Sequence, residues 1–166
     1  MILVDMKKLT TLYIQMEKKK IYIIRHGETD ACHHKKKVDM KDEETEINKD
    51  VWMNEKGREQ IEKILGKIPR TVGKIIASPT FRTMEVAHRI QEHSFFASII
   101  TDVRLHNKME NDSIYESNII SLLNDIKEDM EEEIVLVTHG RIVKMIFSII
   151  SKGVIDRTIM DIIDLT

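Results

Sequence analysis

The chain has 166 residues, of which 26 are basic and 28 acidic, giving a formal net charge of -2. This length suits one domain with its own core, and 42% hydrophobic with 33% charged residues is typical of a globular protein rather than a disordered one. Without excess positive charge the chain has no global attraction for nucleic acid, so no nucleic-acid partner is expected.

The first 20 residues contain one short apolar patch, Ile2-Leu3-Val4, which Asp5 interrupts. A signal peptide requires a sustained apolar stretch, so secretion is not expected. No run in the chain reaches the length of a membrane-spanning helix, and no membrane partner is expected. We interpret residues 1–20 as an N-terminal extension leading into the first strand, and residues 21–166 as one domain.

The first predicted element is a strand over residues 21–24, Ile-Tyr-Ile-Ile, which is followed by Arg25-His26-Gly27. Successive apolar positions indicate a strand that is buried on both faces, as in a parallel sheet. Residues 32–50 are strongly polar and predict a solvated loop or lid. Cys32 is the single cysteine, which excludes an intrachain disulfide, suits a reducing compartment and favours a cytoplasmic location.

Two helices and a strand are predicted between residues 54 and 92. Asn54 is a good N-cap for an amphipathic helix that ends before Pro69. Residues 74–77 predict a buried strand. Ser78-Pro79 then predicts the start of a helix that runs to about Glu92, because serine at the N-cap with proline next is a favoured beginning.

The second half of the chain repeats this alternation. Residues 98–101 predict a short strand, 102–112 an irregular polar stretch, and 113–130 an amphipathic helix. Residues 133–138 form the clearest buried strand, and helical spacing resumes at Gly140. Residues 154–165 could supply one more strand.

Strands that alternate with helices predict an α/β fold, specifically a three-layer α/β/α sandwich around a mainly parallel sheet. Ligands of such sheets bind beyond the carboxyl ends of the strands. Two predicted strands lead into histidines at that edge, the first into His26 and the strand over 133–138 into His139. These two histidines are therefore the first candidates for a functional site.

The surroundings of His26 suit phosphoryl chemistry. A neutral imidazole is a competent nucleophile near pH 7 when one ring nitrogen is held by a hydrogen bond and the other is free. Arg25 can supply charge and paired hydrogen bonds to phosphate oxygens, and Gly27 lets the backbone turn closely.

With these residues in place, the chain resembles the histidine phosphatase superfamily, the phosphoglycerate mutase-like proteins, whose hallmark is Arg-His-Gly at the end of the first strand. Three further motifs are similar and stand in the family's order, so that the resemblance covers roughly residues 21 to 150. They are Met53-Asn54-Glu55-Lys56-Gly57-Arg58-Glu59-Gln60, Ser78-Pro79-Thr80-Phe81-Arg82-Thr83 and Val137-Thr138-His139-Gly140.

The resemblance implies a phosphoglycerate mutase-like fold and a role for each matching residue. It makes His26 the phosphoryl-accepting nucleophile, Arg25 and Arg82 the clamps on the phosphate, and His139 a second imidazole that stabilises the transferring group. It also implies phosphate binding by the neighbouring small residues, Gly27, Thr29 and Gly140. No metal and no other cofactor is expected in this scheme.

One expected residue is missing. Many family members carry a glutamate that protonates the leaving oxygen, in a Leu-x-Glu segment, and here Leu105-His106-Asn107 places asparagine there. Glu110 is the candidate replacement, with Asp112 and Glu28 as alternatives. Two further departures are Cys32, where relatives often have asparagine, and Val86, where they often have threonine.

The resulting hypothesis is a metal-independent phosphatase that acts through phosphorylated His26 on a phosphomonoester or on phosphohistidine. Its partner would be a phosphorylated small molecule or a phosphoprotein; the sequence does not determine the substrate or the oligomeric state. The alternative is a non-catalytic phosphate-binding or regulatory protein of the same fold. Mutase activity is less expected, because the chain has no room for the mutases' long insertions. A metal site at Cys32-His33-His34 is disfavoured, since adjacent histidines point apart.

Overall fold

The computed structural model describes residues 18–30, 51–107, 111–155 and 160–166, which form five strands and four α-helices. The predicted alternation of strands and helices is confirmed. The strands are β1 (Lys19–Arg25), β2 (Lys74–Ala77), β3 (Ser98–Thr101), β4 (Glu133–Thr138) and β5 (Met160–Asp164). The helices are α1 (Glu55–Leu65), α2 (Phe81–His93), α3 (Asp112–Lys127) and α4 (Gly140–Ser151), and a short 3-10 turn spans Val103–Leu105.

The strands form one sheet in the order β3-β2-β4-β1-β5, and every neighbouring pair is parallel. β4 therefore lies between β1 and β2, although it comes much later in the chain. In the pairing of β1 with β4, Arg25 is opposite Thr138. His26 and His139 are the next residues of these two strands, so the register brings the two histidines side by side.

Both faces of the sheet are covered, which confirms the three-layer α/β/α sandwich. On one face Ile61 of α1 and Val86, Ala87 and Ile90 of α2 pack in one buried cluster with strand residues such as Ile75. On the other face, α3 and α4 pack against alternate residues of the same strands; this cluster includes Ile119, Leu122, Ile142, Ile146, Ile23 and Leu136. Val86, which replaces a common threonine of the family, is fully buried in the first cluster.

β1 begins two residues before the predicted strand, at Lys19. Lys19 is only 7% exposed, and its ammonium group donates to the backbone carbonyls of Asp129 and Glu131. Lys19 can therefore belong to the strand in spite of its charge, because backbone carbonyl oxygens accept hydrogen bonds from its ammonium group.

The prediction that Ser78-Pro79 begins a helix is wrong. α2 begins at Phe81 with Thr80 as its N-cap, and the Thr80 N–H donates to Thr83 Oγ1 at 3.3 Å. Ser78 instead extends the pairing of β2 with β4 by one residue, because its N–H donates to the carbonyl of Val137 at 2.9 Å. Its hydroxyl is therefore available for a contact other than a helix cap.

Other differences from the predicted elements are small. α3 ends at Lys127, three residues early, and the tail strand is the five-residue β5. Among the described residues, no helix is both long and apolar enough to cross a membrane. The predicted loop or lid over 32–50, with Cys32, lies outside the described residues.

Candidate active site

The candidate site lies at the carboxyl edge of the sheet, where three adjacent strands end. β2 leads into Ser78, β4 into His139 and β1 into His26. The strand-type hydrogen bonds continue into these residues, since the His26 N–H donates to the carbonyl of Thr138 at 3.1 Å. The backbone of the site is thus an extension of the sheet and has its rigidity.

The loop after β1 is held against the start of α1 by two glycines. A Cβ added to Gly27 would lie 2.2 Å from the carbonyl oxygen of Gly57, and one added to Gly57 would lie 2.2 Å from that of Glu28. The Gly27 N–H also donates to the sulfur of Met53 at 3.2 Å. Both positions require glycine because the two backbones are in contact, and this contact fixes where His26 stands.

The hydrogen bonds of His26 determine which ring nitrogen carries the proton. Nδ1 lies 2.7 Å from the Gly27 carbonyl oxygen, which can only accept, so Nδ1 is the protonated nitrogen. The Arg82 Nε–H donates to Nε2 at 3.3 Å, so Nε2 carries the lone pair. Burial, together with the charges of Arg82 and Arg25, lowers the pKa of His26 from 6.5 to about 4 against the opposing effect of the Gly27 hydrogen bond. His26 is thus a neutral imidazole with a nucleophilic Nε2 above pH 4.

His139 is more deeply buried, with 2% of its surface exposed. Its Nδ1 lies 3.4 Å from a terminal nitrogen of Arg82, and its Nε2 lies 2.9 Å from the hydroxyl oxygen of Ser78. The ring centroids of His139 and His26 are 5.2 Å apart in an edge-on arrangement. Burial, and then the charge of Arg82, lowers the pKa of His139 from 6.5 to about 2.

Arg82 connects the two imidazoles. It projects from the first turn of α2 and is 7% exposed, and its guanidinium donates to His26 and lies within hydrogen-bond distance of His139. Arg25 lies near the start of α4, where its Nε would be 3.4 Å from a Cβ added to Gly140, and its charge contributes to the lowered pKa values of both histidines. Gly140 begins α4, whose N-terminus adds positive potential at the same place.

These groups can capture and transfer a phosphoryl group. Two guanidinium groups and a helix N-terminus converge beside a neutral histidine whose Nε2 lone pair faces one of those cations. A phosphoryl group placed there would have its oxygens near positive charge and its phosphorus near Nε2, which are the requirements of phosphoryl transfer.

The remaining predicted residues fall into two groups. Thr29, in the loop after β1, is 2% exposed, and Gly27 and Gly140 have the places described above. Glu110, the candidate acid, lies outside the described residues.

The two alternative acids are engaged elsewhere. Asp112 has an exposed side chain that pairs with Arg141. The Glu28 carboxylate lies 2.9 Å from the ammonium of Lys56 and accepts from the side-chain amide of Asn54 at 3.2 Å. Asn107, at the place of the family's glutamate, has a buried Oδ1 with no hydrogen-bond partner among the residues that the structure describes.

Ser78 is the residue that the sequence did not assign to the site. Its motif suggested a helix cap, which explains a serine before proline equally well. One feature of the sequence could have pointed to Ser78, because it directly follows a predicted strand, as His26 and His139 do. Its contact with His139 depends on β2 and β4 being neighbours, which the sequence does not show.

No group of three or more histidine, cysteine, aspartate or glutamate side chains suited to a metal ion is found in residues 18–30, 51–107, 111–155 and 160–166. Cys32, His33 and His34, the disfavoured metal candidates, lie outside that part of the chain.

The chain is thus a parallel α/β sandwich with two histidines at adjacent strand ends and an arginine from the first turn of α2 between them. That arrangement at the carboxyl edge of the sheet is suited to an anion. The chain belongs to the histidine phosphatase superfamily (branch 1), whose sequence model matches residues 21–111. That match confirms the family resemblance and spans the first three of the four motifs, whereas Val137-Thr138-His139-Gly140 lies beyond it.

Solved structures show the same fold. The chain is similar to YhfR from Bacillus stearothermophilus, with a TM-score of 0.61 and 18% identity over 80% of this chain and 79% of that one. The chain is also similar to a mycobacterial glucosyl-3-phosphoglycerate phosphatase, with a TM-score of 0.56 and 18% identity over 78% of each chain. A third similar structure is SixA from Agrobacterium tumefaciens, a candidate phosphohistidine phosphatase. Its TM-score is 0.53 and its identity 16%, over 77% of this chain and 73% of that one. A search of the curated proteins found no match.

Proposed function

We propose that the protein is a metal-independent phosphatase in which His26 accepts the phosphoryl group and water then releases it. The substrate is a phosphomonoester or a phosphohistidine on a small molecule or protein. Arg25 and Arg82 hold the phosphoryl oxygens, and His139 stabilises the transferring group. The arginines perform the charge neutralisation that a metal ion supplies in other phosphatases.

The observation that carries this proposal is the state of the His26 ring. Nδ1 is fixed on the Gly27 carbonyl at 2.7 Å, so the lone pair is on Nε2, beside the Arg82 guanidinium. The pKa of about 4 keeps the ring neutral at pH 7, because burial and two cations disfavour its protonated form. A neutral imidazole with one nitrogen fixed and the other beside an anion clamp is arranged for attack on phosphorus.

The leaving group sets the class of substrate. Asn107 cannot donate a proton as a carboxylic acid does, so an alkoxide would depart slowly from this site unless Glu110, the candidate acid of the sequence analysis, supplies the proton. A phosphoramidate, or an ester of an acidic phenol, needs less help in leaving. We therefore expect phosphohistidine and aryl phosphates to be hydrolysed faster than alkyl phosphates.

The test is turnover of 4-nitrophenyl phosphate and of a phosphohistidine peptide, each with and without EDTA. We expect both to be hydrolysed, equally well with EDTA, and an acid-labile phosphoryl group to appear on the protein in a rapid-quench sample. His26→Ala should lower kcat at least about a thousandfold, because it removes the imidazole that accepts the phosphoryl group. The matched control is His88→Ala, an exposed histidine of α2 that should leave turnover unchanged.

Two results would contradict the mechanism. Wild-type turnover by a folded His26→Ala variant would exclude His26 as the nucleophile. Loss of activity in EDTA, with recovery on adding a divalent metal, would exclude the metal-independent route.

A non-catalytic phosphate-binding protein is the second candidate, and Asn107 is the observation in its favour. It predicts that inorganic phosphate binds and that Arg82→Ala abolishes binding, while neither substrate is hydrolysed. Calorimetric titration with inorganic phosphate, run beside the turnover assays, separates the two candidates.

A further inference from the structure

Ser78 is fully buried, and both of its backbone polar groups are hydrogen-bonded. It is 0% exposed, and its N–H donates to the Val137 carbonyl at 2.9 Å. Its own carbonyl accepts from the N–H of Thr80 at 2.8 Å and from the hydroxyl of Thr83 at 2.6 Å. Both polar backbone groups are thus fixed, so the position of the Ser78 side chain is determined by the sheet and by the first turn of α2.

The Ser78 hydroxyl faces the imidazole of His139, with 2.9 Å between Oγ and Nε2. The other ring nitrogen, Nδ1, lies 3.4 Å from Arg82, and a guanidinium can only donate. In the neutral ring the proton is therefore on Nε2 and points at Ser78, while the Nδ1 lone pair points at Arg82. The two contacts fix the tautomer and the orientation of the ring together.

We propose that Ser78 is a positioning residue of this site, whose hydroxyl holds the His139 ring so that Nδ1 faces the phosphoryl group. This inference rests on the proposed function for its kinetic consequences, but the ring geometry that it asserts can be measured without turnover. Ser78 does not touch the substrate and acts through His139.

The consequence for the reaction is a defined proton movement. A phosphoryl monoanion that enters the site places negative charge beside Nδ1 and draws the Arg82 cation to itself, and both changes raise the pKa of His139. The monoanion then transfers its proton to Nδ1, so that the phosphoryl group becomes a dianion and His139 an imidazolium. Nδ1–H then donates to a phosphoryl oxygen, and Nε2–H remains on Ser78 Oγ. The Arg82 terminal nitrogen, released from Nδ1, turns to the same oxygens. The total charge is unchanged, and every proton of the ring has an acceptor.

A hydroxyl suits this task because it accepts from Nε2–H without carrying charge. A carboxylate at that place would raise the pKa of His139 strongly and hold the ring protonated even in the free protein. An apolar side chain would leave the buried Nε2–H without an acceptor in the imidazolium, where that loss costs most. Outer hydrogen-bond partners of metal-ligating histidines typically contribute about tenfold to a hundredfold to activity, and we expect an effect of the same size for the partner of His139.

The test compares two hydroxyl-removing variants, Ser78→Ala and Ser78→Cys, with the hydroxyl-keeping Ser78→Thr. Ser94→Ala is the control, since the Ser94 hydroxyl donates to the Ile90 carbonyl at the end of α2. The first readout is the slowly exchanging ring N–H signal in the proton NMR spectrum, assigned to His139 by its absence in His139→Gln. We expect this signal in the wild type, in Ser78→Thr and in Ser94→Ala, and its loss in the other two.

The second readout is the pH dependence of kcat with 4-nitrophenyl phosphate. The hydroxyl-removing variants should lower kcat by about tenfold to a hundredfold with little change in KM. In these variants the alkaline limb of the plot of kcat against pH should move to lower pH. The imidazolium of His139 in the complex loses the acceptor for Nε2–H, which lowers its pKa. Ser78→Thr should recover most of the rate.

Folded Ser78→Ala and Ser78→Cys variants with wild-type kcat and an unchanged alkaline limb would overturn the inference. So would a ring N–H signal that persists in both. A wild type with no turnover would instead refute the proposed function, and the NMR comparison alone would then decide the positioning role. If Ser78→Ala does not fold, Ser78→Cys against Ser78→Thr carries the same comparison.

Discussion

At the scale of single residues, Asn107 distinguishes this chain from the relatives that carry a glutamate. Its Oδ1 is buried and has no hydrogen-bond partner among the described residues, so the side chain occupies the place without supplying a proton. The described carboxylates considered as substitutes, Glu28 and Asp112, are paired with Lys56 and Arg141. Under the proposed function, the side chain at position 107 therefore influences which leaving groups the site can release, because an amide does not protonate an alkoxide.

This gives a gain-of-function prediction, the substitution Asn107→Glu. We expect hydrolysis of an alkyl phosphate such as glycerol 2-phosphate to rise by about tenfold, because the new carboxylic acid protonates the departing alkoxide. Hydrolysis of 4-nitrophenyl phosphate, whose phenolate leaves unprotonated, should change little. The measurement is the ratio of kcat/KM for the two substrates, with Asn107→Gln as the control. A ratio that stays at its wild-type value would show that position 107 does not reach the leaving group.

At the scale of elements, the contact between the loop after β1 and the start of α1 locates His26. Asn54 caps α1 through the Gly57 N–H at 2.8 Å, and its own N–H donates to the Glu28 carbonyl at 3.0 Å. The Glu28 N–H donates in turn to the side chain of Gln60 at 2.9 Å. The cap of α1 and the loop that follows His26 are thus one hydrogen-bonded unit.

Gly57→Ala should disrupt this unit. The new Cβ would meet the Glu28 carbonyl at 2.2 Å, which forces the backbones apart at a cost of about 1–3 kcal/mol in the free energy of unfolding. Gly66→Ala is the matched control, because a Cβ there meets nothing within 4 Å and its φ of -63° is helical. That change should stabilise by about 0.4–1 kcal/mol.

Urea unfolding followed by the emission of Trp52, the single tryptophan, measures both variants. Trp52 stacks on Phe81 at 4.8 Å between ring centroids, close to the affected contact. Equal stability of Gly57→Ala and the wild type would show that the two backbones can separate freely.

The elements also show what the sequence could and could not predict. Buried strands over residues 21–24, 74–77 and 133–138 were predictable, because runs of β-branched residues leave few other structures for them. The start of α2 was not, since Ser78-Pro79 fits a helix cap locally and the competing hydrogen bonds to Val137 and His139 come from a strand 55 or more residues away in the chain. The sequence placed His26 and His139 correctly at the ends of their strands. The contact of Ser78 with His139 could not be predicted without knowing the order of the strands in the sheet.

At the scale of the whole molecule, the partly buried His26 and the buried His139 make stability depend on pH. In the unfolded chain they bind protons near pH 6.5, but in the fold the pKa of His26 is lowered to about 4 and that of His139 to about 2. The unfolded state therefore holds more protons below pH 6.5, and the free energy of unfolding decreases as the pH falls. Both contributions are fully present above pH 6.5. That of His26 is lost as the pH falls through about 4, and that of His139 continues to decrease to lower pH.

We accordingly expect the stability to fall between pH 6.5 and 4, by at most about 1.4 kcal/mol per pH unit for each histidine. Desolvation raises the pKa values of Asp102 and Asp129, but hydrogen bonds to Arg104 and Lys74 outweigh it and hold both values below 3.8. These two carboxylates therefore affect the free energy of unfolding mainly at lower pH. Urea unfolding at several pH values measures the slope. A His26→Gln, His139→Gln double variant should be flatter, and an unchanged slope would assign the effect to other groups.

The strand order has a consequence for how the molecule assembles. β4 is inserted between β1 and β2, so the two histidines and Ser78 meet only after a segment more than 100 residues downstream of β1 has docked between two earlier strands. Such a non-local pairing is slow to form, because a long loop must close before any contact rewards it. A nascent chain that has emerged only as far as α3 contains His26 and Arg82 but lacks His139. Capture of inorganic phosphate would thus report that the central strand of the sheet is in place, independently of any turnover.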